Sequence, residues 1–212
     1  FVFASDLPPK TEQPEIPEET PPVPTRPSHS GHHHSTPNMT PKKDETLKLC
    51  AGSAELDPDK PFVLAGYGDG QLHENDPITR AQFAVLLYRS LTDDSKAALA
   101  SSTSVFTDIA KDSWYHDAVS AFASVGVLNG CNGFFRPNDN LTYGQLIAIL
   151  TRFVDAKTAS MPDVSYTKHW AYKNIMTAAA YGWIQDAASV QSDRVVTRGE
   201  VVLLVNQIFS QC

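Results

Sequence analysis

A six-residue segment occurs three times in this chain. Ile78-Thr79-Arg80-Ala81-Gln82-Phe83 returns in altered form as Leu141-Thr142-Tyr143-Gly144-Gln145-Leu146 and again as Val196-Thr197-Arg198-Gly199-Glu200-Val201. Self-similarity of this kind restricts the fold to copies of one small supersecondary unit that bury their apolar faces against each other. In each copy Thr stands three residues before Gln or Glu and is followed by apolar residues. Its hydroxyl is therefore placed to accept from the N3 amide while the N3 side chain reaches back, a capping box that opens a helix. Arg80 and Arg198 then fall at N1, where a cation faces the positive end of the helix dipole at a cost of roughly 0.3 to 1 kcal/mol. Two readings stand open. Either the guanidinium groups lie out in solvent, or an anion near the free first-turn amides reverses the sign, with the arginine adding a fork of donors.

The net charge of -7 argues against nonspecific nucleic-acid binding and against docking on anionic lipid. An anionic partner has to be held locally, by a few placed donors. No apolar run approaches the ~20 residues that span a bilayer, so no membrane segment is expected. Cys50, Cys131 and Cys212 are odd in number, far apart and without C-x-x-C spacing, which indicates neither a disulfide framework nor a zinc site.

From Ser5 to about Asp59, Pro, Thr, Ser, Glu and Lys dominate, so this stretch reads as a disordered, semi-stiff tether. Phe1-Val2-Phe3-Ala4 reads as the end of a signal peptide or of an upstream domain. His32-His33-His34 lacks a scaffold and reads as a solvated tract, so no metal is assigned. Folding is expected to start near Pro61-Phe62-Val63, ahead of the glycine loop Gly66-Tyr67-Gly68-Asp69-Gly70 and a helix from Arg80 to Leu91. In the second copy Ser113 is placed to cap a helix from Trp114 to Val125, with Ala118, Val119, Phe122 and Ala123 inward. Gly126 is placed to end it in a left-handed conformation. A loop from Asn129 to Pro137 leads to the boxed helix from Thr142 to Phe153. The third copy retraces this order through Met161-Pro162-Asp163, Trp170, a helix to Tyr181, Gly182 and Thr197, but its loop from Gln185 to Arg194 has lost every glycine. The first copy lacks an obvious Trp-bearing helix unless Leu47 to Ala54 supplies a poor one.

In this order of residues the repeats resemble S-layer homology (SLH) domains. Those repeats read as an aromatic-x-Asp start, a Trp, a Gly ending the first helix, an N-G-Y-x-D-G-x-F-x-P loop and an I-T-R-A-E box. Phe106, Asp108, Trp114, Gly126, Asn129, Gly130, Gly133, Phe135, Pro137 and Thr142 follow that pattern. The resemblance implies an all-α fold, a pseudo-threefold arrangement of helix-loop-helix repeats preceded by the Pro-rich tether. Residues 1–60 are then linker, 61–104 an abbreviated first repeat, 105–160 the second and 161–212 the third.

The resemblance further implies the C-terminal wall-anchoring module of a Gram-positive-type surface protein. Such a module is extracellular, in the cell wall or S-layer, and works without catalysis or cofactor. Its partner is a pyruvylated secondary cell-wall polysaccharide, with S-layer neighbours as further candidates. The box arginine meets the pyruvate carboxylate in grooves between neighbouring repeats. Carried over, that role falls to Arg80 and Arg198, while Tyr143 replaces the arginine in the second repeat. Asp69, Gly68 and Gly70 carry the loop in the first repeat and Gly133 in the second, where Cys131 replaces the usual Tyr. Trp114 and Trp170 are placed either to stack on sugar rings or, as their position at a helix start favours, to pack in the core. Asp108 and Asp163 are expected to anchor backbone amides.

Two other classes compete. A calcium-dependent docking module would use the Asp69-Gly70 loop, but Ala65 and Tyr67 offer no carboxylate at the liganding positions. An enzyme would need a motif, and neither G-x-S-x-G nor H-E-x-x-H occurs. Activity in a wall-associated parent enzyme would then reside outside this non-catalytic part.

Overall fold

The computed structural model describes residues 47–60, 62–64, 66, 68–100, 102–154 and 169–212. Expectations for the rest of the tether, the histidine tract, Tyr67 and Met161-Pro162-Asp163 lie outside the described residues. Among the described residues six α-helices order the fold: α1 Arg80–Arg89, α2 Asp93–Leu99, α3 His116–Ser124, α4 Tyr143–Leu150, α5 Tyr172–Ala180 and α6 Arg198–Phe209. A 3-10 turn, Thr151–Phe153, extends α4. None of these helices is long and apolar enough to cross a membrane.

All three boxes form. Thr79, Thr142 and Thr197 accept at their hydroxyls from the amides of Gln82, Gln145 and Glu200, and those three side chains accept in return from the cap amides. The glycine stops form too. Gly126 has φ +74 and Gly182 φ +73, and the next residue in each case, Val127 or Trp183, donates back to Phe122 O at 2.8 Å or Ala178 O at 2.9 Å. That is the bond pattern in which a left-handed C-prime residue closes a helix.

Two local expectations fail. Ser113 does not cap α3: its carbonyl accepts from His116 N in a preceding turn, and the helix opens at His116 with no side-chain cap. Trp114 therefore sits before the helix rather than in its first turn. The tether boundary also moves. Residues Cys50–Ala51 and Ala54–Glu55, labelled β1 and β2, pair antiparallel around Gly52, whose φ is +57. Leu49, Ala54 and Leu56 are buried, so residues 47–60 belong to the folded part and supply a hairpin where a poor helix was expected. The hairpin is held to α2, where Glu55 N donates to Ser95 Oγ at 2.9 Å.

The box segments meet at the centre. Ile78 N donates to Val196 O at 3.2 Å, Val196 N to Leu141 O at 3.0 Å and Leu141 N to Ile78 O at 2.9 Å, which closes a ring of three hydrogen bonds. All three side chains are fully buried. Around them α1 packs on α3 and α4 on α5, with Phe122 edge-on to both Tyr88 and Phe153. Burying such apolar surface supplies most of the favourable folding free energy.

Candidate ligand-binding cleft

A second set of bonds runs outward from that ring and interlocks the repeats. Arg80 N and Ala81 N donate to Asp139 O and Pro137 O, at 3.0 and 2.9 Å. Tyr143 N and Gly144 N donate likewise to Arg194 O and Ser192 O, and Arg198 N and Gly199 N to Asp76 O and Glu74 O. Each box thus rests on the loop of the next repeat, and the third on the first. The first-turn amides, expected to be free for an anion, are taken by carbonyl oxygens of the chain itself. That overturns the amide-based anion site: the donors that remain for a ligand are side chains.

The arginines do not lie out in solvent. Arg80 Nε donates to Phe135 O and its Nη2 to Asn129 O, both at 2.9 Å, while Cζ sits 4.5 Å over the Phe135 ring. Burial pulls its pKa down, opposed by the nearby Asp139 and Asp108 carboxylates. Arg198 is 2% exposed and its Nε donates to Leu72 O at 2.9 Å. Carbonyl acceptors at loop ends therefore compensate the adverse dipole at N1.

Beside Arg80 opens a cleft of about 470 Å³. Among the described residues its cations are Arg80, Arg136 and Arg152, set against one lining carboxylate, Asp139. Trp170, from the third repeat, forms part of the wall and is 58% exposed; Phe134, also exposed, forms another part. The core-packing reading of Trp170 is thereby corrected: it precedes α5, is exposed, and lines the cleft together with Gln145, Ala148 and Ile149 of α4. Arg152 reaches in from the 3-10 turn after α4, with Nη1 donating to Val127 O at 2.6 Å, and burial lowers its pKa.

The loop that forms the floor is built by short-range rules. Asn132 and Gly133, with φ +52 and +81, make a two-residue turn closed by paired bonds between Cys131 and Phe134. Asp108 accepts from Phe135 N at 2.8 Å and Arg136 N at 2.7 Å, the amide-anchoring role expected of it. Gly130 is required by close approach, since a Cβ there would collide with Phe134 O and the Phe106 ring.

Of the residues the sequence offered as ligand contacts, Arg80 and Trp170 line this cleft, together with the loop-motif residues Asn129, Gly130, Cys131 and Phe135. Arg198 and Tyr143 occupy the equivalent N1 positions at the other two interfaces. Asp69 accepts from Gln71 N at 2.9 Å and pairs with His73 at 2.6 Å in an exposed loop with Gly68 and Gly70. Gly133 shapes the Cys131–Phe134 turn without lining the cleft itself. Trp114 is half-buried, edge-on to Tyr115. Sequence reasoning missed Arg136 and Arg152. The signal for Arg152 was present, because Arg89 stands at the same offset from Thr79 as Arg152 from Thr142.

Residues 105–147, which hold the floor of the cleft and the second box, match the S-layer homology domain. The chain is 28% identical over 161 residues to Cell surface glycoprotein 1 of Acetivibrio thermocellus, covering 68% of this chain and 7% of that protein. It is 26% identical over 181 residues to the Cellulosome-anchoring protein of the same organism, covering 79% and 39%. It is 29% identical over 91 residues to the Middle cell wall protein of Brevibacillus brevis, covering 42% and 9%. The chain thus spans a minor part of each of these relatives.

Proposed function

Starting from a chain whose residues 105–147 form an S-layer homology domain, we propose that the protein is a noncovalent anchor that holds a surface protein in the cell wall by gripping an acidic wall polysaccharide. It works outside the cell, at the wall. The observation that carries the proposal is the convergence of Arg80, Arg136 and Arg152 with exposed Trp170 in one cleft of a chain whose net charge is -7. A guanidinium grips a carboxylate in two places, and an indole face covers the apolar face of a sugar ring. A pyruvate ketal on the sugar supplies such a carboxylate without a reactive group, which suits an anchor that does no chemistry.

The architecture of the proposal is a pseudo-threefold set of helix-loop-helix repeats, supported by the closed ring through Ile78, Leu141 and Val196. S-layer neighbours belong to the same proposal as secondary partners. The test is a pull-down of the full chain on isolated wall sacculi before and after chemical removal of the secondary polymer. Binding lost on stripping is the expected result. Retention on bare peptidoglycan would redirect the reading to another wall component.

A further inference from the structure

At the interface between the second box and the third loop the arginine and the aromatic have changed places. The N1 residue is Tyr143, and the cation comes from the loop: Arg194 Cζ lies 4.7 Å over the Tyr143 ring, much as Arg80 lies 4.5 Å over Phe135. The guanidinium at this interface also has an anion already. Arg194 Nη1 meets Glu200 Oε1 at 2.8 Å, and Glu200 Oε2 accepts from Thr197 N at 2.8 Å. Glu200 is the acid among the three N3 residues; Gln82 and Gln145 make the same backward bond without charge.

We infer that this interface is a carboxylate-binding site filled from within, where Arg194, stacked on Tyr143, grips the Glu200 side chain in the place of an acidic sugar. The inference rests on the reading of the Arg80 cleft as an anion site and adds where a second one lies. Both oxygens of Glu200 are engaged, so an external carboxylate has to break the ion pair and disturb the box at once. The pair is half exposed, with side chains 38% and 43% accessible, so the guanidinium is within reach of solutes once its partner is gone. Arg198, at the remaining interface, is buried. Of the three box interfaces, the wild-type chain therefore offers one, at Arg80, to an acidic ligand, and Glu200 keeps the second closed.

Glu200→Gln is the informative change, because glutamine keeps the box as it does in the other two copies. Two readouts separate the possibilities, with melting curves confirming that each variant folds. In calorimetric titration with pyruvylated wall oligosaccharide, wild type is expected to show one site per chain, Glu200→Gln two, and Glu200→Gln with Arg194→Gln one again. In parallel, the Arg194 side-chain nitrogen resonances are followed while pyruvate alone is added; they are expected to shift in Glu200→Gln and to stay still in wild type. If the oligosaccharide binds no variant, the reading of the Arg80 cleft falls, and the pyruvate titration still decides this inference. Arg194 signals that move equally in both proteins, or in neither, would overturn it.

Discussion

Arg80 is tied to Phe135 twice: its Nε donates to the Phe135 carbonyl at 2.9 Å, and its guanidinium carbon rests 4.5 Å from the centre of the Phe135 ring. The bond and the stacking together fix the plane of the guanidinium at the cleft edge. The residue that serves the ligand therefore also serves the fold. Arg80→Gln is expected to lower stability by about 1 to 3 kcal/mol, because the carbonyls of Phe135 and Asn129 lose a charged donor. Urea unfolding measures it, and an unchanged midpoint would show that these bonds do not matter to the fold. The opposite sign follows from the dipole alone, which would make the variant slightly steadier.

Arg198 tests the same bond without the ligand. It is buried, and its Nε holds Leu72 O across the first loop. Arg198→Ala is expected to cost about 1.5 to 3 kcal/mol while leaving affinity at the Arg80 cleft unchanged in the folded fraction. A variant that melts normally but binds weakly would place a ligand at Arg198 instead.

The capping threonines are a local matter. Thr142→Ala and Thr197→Ala should each lower stability by about 0.5 to 2 kcal/mol, the usual loss for an N-cap hydroxyl. Thermal midpoints report it directly, and two unaffected variants would contradict the boxes seen at α4 and α6.

Glu200 gives the pH dependence. Partial burial raises its pKa, but the Thr197 amide and the Arg194 guanidinium outweigh this and hold it below the usual carboxylate range. A depressed folded-state pKa contributes stability above the unfolded value, and that contribution is lost as pH falls through the folded one. Wild type should therefore lose more stability than Glu200→Gln on going from neutral pH to below pH ~4. Parallel acid unfolding curves for the two proteins would refute the assignment.

What the sequence showed depended on range. The three boxes and the glycine stops at Gly126 and Gly182 were legible because each is settled within a few residues. The cleft was not, because it is assembled across repeats. Arg80 meets the loop at Phe135 and Asn129, and Trp170 arrives from the next repeat. One copy read alone shows none of these partners. The same interlocking hid the fate of the first-turn amides, which local rules leave free and the neighbouring loop carbonyls occupy. The hairpin at residues 50–55 was lost in the averaged composition of a proline-rich stretch, although Leu49 and Leu56 flank a glycine turn. Helix α2 is short and polar, and its Thr92 cap passed unnoticed.

Trp170 separates stacking from charge. Being 58% exposed, it should be removable without lowering the melting temperature, and Trp170→Ala is expected to weaken polysaccharide binding on the order of tenfold, about 1.4 kcal/mol, within the range for a base or ring stacked on an aromatic side chain. A lower melting point with unchanged affinity would return this residue to a packing role.

The most direct test of the account is calorimetric titration of wild type, Arg80→Gln and Arg152→Gln with pyruvylated wall oligosaccharide, at a temperature where melting curves show all three folded. The account predicts that wild type binds and that each variant loses most of its affinity, since both guanidinium groups line the one cleft. Tight binding retained by both variants would mean that the polymer is held somewhere else on the chain.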